Sequence, residues 1–249
     1  MGVPVLLHAA CPPLVKPLEM SLIEQLAKNT PKDRPLTDTE LLKLLKSGDI
    51  TMPPLQVVPL SGPLPLTLNV ALSFLSGDGS AEIEIDLDGN GAFKPVDTRF
   101  DKHSGIQEGR LKHTYGREGT FQITSRIRGS KGGVSTHSKQ VVVMSQAAFE
   151  TGLQQLWADY KSSLQRNDIT SALECMHSLV RDEYRRILPE IIKSGTRINQ
   201  ILTDIRFQHL HLSGPRAEFE MVRPGPSGEF SYLVVFELDV DGVWRLRSM

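Results

Sequence analysis

From Leu64 the chain alternates with a period of two. Leu66, Leu68, Val70, Leu72 and Phe74 interleave with Thr67, Asn69, Ala71 and Ser73, and after a turn at Ser76-Gly77-Asp78-Gly79, Ala81, Ile83, Ile85 and Leu87 interleave with Glu82, Glu84 and Asp86. Strict alternation places the apolar set on one face, the pattern of half-buried antiparallel strands. Phe121, Ile123 and Ile127 continue it, Gly129 to Gly133 turns again, and Val141 to Val143 closes it. From Ser145 the period becomes helical. Phe149, Leu153, Leu156, Trp157, Tyr160 and Leu164 share one face. Asn167-Asp168 breaks that helix, and the next is expected to bury Ala172, Leu173, Met176 and Leu179 and to continue through Tyr184, Ile187, Leu188 and Ile191. Strands follow over roughly 205–212, 217–222, 230–238 and 243–247, separated by glycine turns. Helices followed by an antiparallel meander predict an α+β layer with helices on one sheet face.

Residues 12–63 differ. Prolines at 12, 13, 17, 31, 35, 53, 54, 59 and 63 exclude continuous helix or sheet. Two short helices fit between them, Ser21–Lys28 and Thr37–Lys46, the second with Thr37 and Glu40 at capping-box spacing. The predicted organisation is therefore a proline-rich arm over 1–63, a β-sandwich over 64–144 and an α+β domain over 145–249.

Composition narrows the function classes. A hydrophobic content of 39% with 23% charged residues is that of a globular chain. The net charge of −1 is not the basic excess of a nucleic-acid-binding surface. No stretch approaches the length of apolar sequence that a membrane-spanning helix needs. The two cysteines, Cys11 and Cys175, have neither a disulfide-framework nor a zinc spacing. Cys175, among Leu173, Met176 and Leu179, reads as a buried, inert thiol. Val3–Cys11 reads VPVLLHAAC, a short apolar run ending in small residues and cysteine. It has two readings of equal weight: a lipoprotein signal with Cys11 acylated, or a tail with a chance cysteine. No Lys or Arg precedes the run.

Ile83-Glu84-Ile85-Asp86-Leu87-Asp88-Gly89-Asn90-Gly91, followed by His113-Thr114-Tyr115 and Gly119-Thr120-Phe121, resembles the PKD-type domain, an immunoglobulin-like module of secreted bacterial proteins. Arg117-Glu118 stands where that family has a small residue and proline, Phe121 where it has tyrosine, and its tryptophan before the Asp/Gly turn is absent. The resemblance implies a β-sandwich used for spacing, adhesion or contact with protein or carbohydrate, and a structural role for Tyr115. The last hundred or so residues are similar to the nuclear-transport-factor-two-like (SnoaL-like) α+β cone. The Trp157/Tyr160 helix, the break from Asn167 to Leu173, and the ending Asp239-Val240-Asp241-Gly242-Val243-Trp244-Arg245-Leu246 carry this likeness. It implies a fold and a cavity, not an activity.

Asp86-x-Asp88-x-Asn90-Gly91 has oxygen ligands at positions one, three and five and glycine at six, the first half of a calcium loop, with Asp97 at position twelve. The flanking strand excludes an EF-hand. The choice lies between a strand-edge calcium site and, favoured about two to one, a hairpin loop in which Asp, Asn and Gly supply turn geometry. His209 and His211 share a strand face. With Glu218 or Glu220 on the next strand, and His177 and Tyr184 from the helices, they are the candidate pocket residues of a cone, although a half-buried polar edge accounts for them more simply. Motifs of zinc proteases, redox dithiols, nucleotide loops and serine hydrolases are absent from the sequence. The expected protein is a non-catalytic binding or structural module, extracytoplasmic, contacting a protein or glycan. The alternative is an enzyme or small-ligand carrier using the cone cavity.

Overall fold

Stretches of period two form antiparallel sheets, and those of period 3.6 form helices, in the computed structural model, which describes residues 54–76, 79–129, 132–193, 206–225 and 228–249. The chain divides between Val143 and Met144 into two compact units.

Among the described residues of the first unit nine strands form two sheets: β1 (Leu55–Val58), β2 (Ser61–Pro63), β3 (Leu66–Leu75), β4 (Glu82–Asp86), β5 (Lys94–Pro95), β6 (Thr98–Asp101), β7 (Ile106–Tyr115), β8 (Gly119–Arg128) and β9 (Val134–Met144). The orders are β1-β3-β7-β6 and β2-β9-β8-β4-β5. Exposure alternates along β3 as its sequence predicts. Leu68, Val70 and Leu72 face Ile83, Ile85, Ile123 and Val141 in one apolar core. Burying each such side chain contributes about 1.5–3 kcal/mol.

Two features depart from expectation. β1 and β2 lie within the stretch assigned to the arm, so strands occur before Leu64. Pro59, Pro63 and Pro65 cut these strands too short for alternation to be visible. β7, for which no strand is expected from alternation, is a full ten-residue strand pairing Leu66–Leu75 with Ile106–Tyr115, and His113 and Thr114 belong to it. Its sequence hides it, because two core-facing positions are Gln107 and Gly109. Gln107 Nε2 donates to the Ala81 carbonyl at 2.8 Å and to Thr98 Oγ1 at 2.7 Å. At Gly109 a Cβ would lie 2.9 Å from Val96 Cγ1, so glycine lets β7 pass under that side chain. The helices expected at Ser21–Lys28 and Thr37–Lys46 lie outside the described residues.

The second unit consists of α1 (Gln146–Gln165), α2 (Ile169–Glu174) and α3 (Ser178–Lys193), then β10 (Arg206–Ser213), β11 (Arg216–Gly225), β12 (Gly228–Leu238) and β13 (Trp244–Ser248), a meander in sequence order. Ser145 caps α1 by accepting from Ala148 N. Asn167, at φ 58°, ends it, and Asp168 caps α2 through Ser171 N at 3.1 Å. Phe149, Leu153, Trp157, Tyr160 and Leu164 of α1 pack on Ala217, Phe219, Val234, Phe236 and Leu246 from one face of the sheet.

The second helical stretch is not continuous. Between α2 and α3 the backbone leaves the helix to run along β13. His177 N donates to Leu246 O at 2.8 Å, and Leu246 N donates to Cys175 O at 2.9 Å. This shifts the phase of the following helix, and Leu179, expected in the core, is 75% exposed. A hydrophobic period cannot reveal a break whose cause is an edge pairing with a strand about 70 residues away. No helix among the described residues is long and apolar enough to cross a membrane.

Candidate functional site

Where the chain leaves β13's edge to begin α3, five polar side chains meet. His177, Asp239 and Arg245 are buried. Ser178 is the first residue of α3, and Asp239 and Asp241 lie in the loop between β12 and β13. That loop is folded by Asp239 N donating to Val243 O at 2.8 Å and Gly242 N to Asp239 O at 2.9 Å. Asp239 accepts from Ser178 N at 2.9 Å, Ser178 Oγ at 2.6 Å, Val240 N at 2.8 Å and Arg245 Nη1 at 2.9 Å. Arg245 also reaches both oxygens of Asp241, each at 2.6 Å. The carboxylate thus caps α3 from another element and lies at the positive end of its dipole.

The electrostatics follow from this geometry. Burial alone pushes the Asp239 carboxyl up, but the hydrogen bonds from Ser178 and Val240 and the Arg245 charge outweigh it and hold the group below the usual carboxylate range. Burial also opposes the charge on Arg245, but Asp241 and Asp239 raise its pKa above the ordinary guanidinium value. His177 Nδ1 accepts from Leu179 N at 3.2 Å, and Nε2 stands 3.6 Å from Asp239 Oδ1, too far for a hydrogen bond. Serine, histidine and aspartate are together, but not in the order that activates a nucleophile. The Ser178 hydroxyl donates to the carboxylate, and the imidazole nitrogen beside Leu179 is occupied by backbone.

The sequence-predicted pocket residues do not converge on this point. His177 is a member of the cluster. Tyr184 is partly buried on α3 against the core, and burial, then the Glu183 charge, raises its phenol. Glu218 and Glu220 alternate with Ala217, Phe219 and Met221, which belong to the helix-facing core, so the two carboxylates lie on the opposite sheet face. His211 pairs with Glu218 there. His209 falls at a bulge between Gln208 and Leu210. The helix-facing side of the sheet is filled by Phe207, Phe219, Phe236 and Trp157 in a run of edge-to-face aromatic contacts. Within it, Trp157 Nε1 and the Tyr160 hydroxyl are buried with no hydrogen-bond partner among the described residues.

In the sandwich, Asp86 is 4% exposed and turned into its own loop. Its Oδ1 accepts from Asp88 N at 3.0 Å and Gly89 N at 2.9 Å, and its Oδ2 from Gly91 N at 2.8 Å. Burial raises its pKa, but these backbone donors prevail and lower it. Asn90 Oδ1 accepts from Ala92 N at 2.8 Å. Asp97 lies between β5 and β6. Among the described residues no group of three or more His, Cys, Asp or Glu side chains is placed to hold a metal ion. The Tyr115 hydroxyl donates to the Leu87 carbonyl at the base of the same loop. Its phenol is pushed up to about 12 by burial and then by the charges of Asp88 and Asp86. The Asp86 oxygens are thus directed at the backbone donors of their own loop. The sandwich is therefore expected to melt at the same temperature in calcium and in chelator, as read by circular dichroism. A calcium-dependent rise would assign the loop to the metal, because a ligand of the native state raises its stability.

Cys175 is buried as expected but is disulfide-bonded, not a free thiol. The other cysteine, Cys11, the candidate lipidation position, lies outside the described residues. The sequence reading missed Ser178, Asp239, Asp241 and Arg245 as a unit. The signal was Asp-Val-Asp-Gly-Val-Trp-Arg, in which two carboxylates and a guanidinium flank a glycine turn that folds them together.

No family model and no curated protein matches the chain. Solved structures do match. One, the crystal structure of the sulfane dehydrogenase SoxCD from Paracoccus pantotrophus, aligns at 18% identity and a TM-score of 0.22, covering 28% of this chain and 18% of that one. A likeness of that size carries no argument.

Proposed function

We propose that this chain is a non-catalytic binding or structural protein of the bacterial envelope or secreted fraction, contacting a protein or glycan. In this reading a PKD-like sandwich precedes a nuclear-transport-factor-two-like cone. The sheet orders support the first part: β1-β3-β7-β6 and β9-β8-β4 correspond to the ABED and GFC sheets of immunoglobulin-type sandwiches. Helices on one face of a four-stranded meander support the second. The observation that carries the functional reading is the saturation of Asp239. With four hydrogen bonds its lone pairs are occupied, and it has no capacity left to act as a base.

The alternative, a small-ligand site inside the cone, is favoured by one observation, the donors Trp157 Nε1 and Tyr160 O–H, which have no partner among the described residues. Proton–nitrogen NMR of the full chain separates the two, because each indole gives its own resonance. Titration with a library of small organic fragments is expected to leave the Trp157 indole unmoved. A saturable shift at that resonance would move the function to the cone interior.

A further inference from the structure

Cys175 stands at the C-terminal end of α2, where the chain leaves the helix to run along β13. It is 0% exposed and disulfide-bonded. Its carbonyl accepts from Leu246 N at 2.9 Å, and His177, two residues on, donates to Leu246 O at 2.8 Å. Ser178, one residue further, presents the N–H and hydroxyl that Asp239 accepts. The sulfur is therefore fixed at the junction that sets the phase of α3 and delivers Ser178 to its carboxylate.

The chain has two cysteines, and among the described residues none is free. The other half of the bond is Cys11 of the same chain or a cysteine of a second molecule. A disulfide brings its two Cα atoms within about 7 Å of each other. Cys175 has no exposed surface, and its neighbours Ala172, Leu173 and Met176 belong to the same packed core. A second molecule would have to insert its own chain into that core to reach the sulfur.

We infer that Cys175 is joined to Cys11, closing a loop of about 160 residues, and that Cys11 is consequently not the attachment point of a lipid. An acylated cysteine carries a thioether at the same sulfur, so the two modifications exclude each other. The apolar run Val3–Cys11 then ends on a structural cysteine rather than a lipidated or a chance one. The bond forms by exchange with a disulfide oxidant. One thiolate attacks the oxidant's disulfide, the other displaces it, and the oxidant leaves as two thiols with the two electrons. Such a bond persists where thiols are kept oxidised, in keeping with the extracytoplasmic setting proposed above. It does not depend on what the chain contacts, so its failure would leave the proposed function standing.

The full chain, reduced and then brought to equilibrium in mixed oxidised and reduced glutathione, tests this by peptide mapping without reduction. One bond per chain is expected, linking the Cys11 and Cys175 peptides. Reduction of the wild type should lower the melting temperature read by tryptophan fluorescence by at least about 5 °C. It should also speed amide exchange at His177 N and Leu246 N. The same reductant should leave Cys11→Ser unmoved, and if that variant fails to fold, the wild-type map and melt decide. Glutathione or a free thiol on either cysteine at equilibrium, a bond between two copies, or a wild type that melts alike in both states would each overturn the inference. So would a diacylglycerol mass on Cys11 in the chain isolated from its own cells.

Discussion

Replacing Asp239 by alanine is expected to destabilise the C-terminal unit by about 3–5 kcal/mol, the range for removing one partner of a buried ion pair. The loss exceeds that of a surface bridge because Arg245 would remain buried, held by Asp241 alone, and because Ser178 N and Oγ would lose the acceptor that starts α3. Both tryptophans, Trp157 and Trp244, lie in this unit's core, so urea unfolding followed by tryptophan fluorescence reads it selectively. Acid should act in the same direction. The folded-state pKa of Asp239 lies below its unfolded value. The charged carboxylate therefore contributes stability that is complete above about pH 4 and is lost as pH falls through the folded pKa. Asp239→Asn should remove that part of the acid sensitivity; an unchanged acid limb would show that other carboxylates govern it.

The second large effect is expected at Asp86. Its carboxylate closes the loop after β4 through three backbone donors, and Asp86→Ala leaves those donors to solvent or to nothing. About 2–3 kcal/mol of sandwich stability should be lost, since hydrogen bonds to a charged acceptor exceed neutral ones. Amide hydrogen exchange at Phe121 and Ile123, deep in the sandwich core, measures it without interference from the other unit. Asp86→Asn keeps an acceptor and should lose about half as much. If alanine and asparagine both leave exchange unchanged, the carboxylate does not organise the loop.

These two residues show what was legible in the sequence. Asp86 stands out because oxygen ligands and glycines recur at fixed spacing. The same residues build a calcium loop or an aspartate-closed turn, and only the direction of the oxygens separates the two. Strands whose inner face is apolar, such as β3 and β4, are visible from alternation alone. β7 is not, because Gln107 and Gly109 take inward positions that other strands fill with leucine and isoleucine. The cluster around Asp239 was half visible. His177 was a candidate for its chemistry. Its partners were not, because the contact joins positions some 60 residues apart through a helix break that no periodicity encodes. Glu218, Glu220 and His211 lie on the sheet face away from the helices, and the bulge between Gln208 and Leu210 is not encoded in the alternation that put His209 and His211 on one face.

The buried charges of this chain hold its fold together, and a double-mutant cycle between Asp239 and Arg245 tests that most directly. Single alanine variants and the double variant are unfolded in urea and read by tryptophan fluorescence. A structural pair predicts a coupling on the order of 1.5–3 kcal/mol, the double variant losing far less than the two single losses together. Losses that add to within about 0.5 kcal/mol would mean the two groups do not stabilise one another, and would contradict the structural role assigned to them.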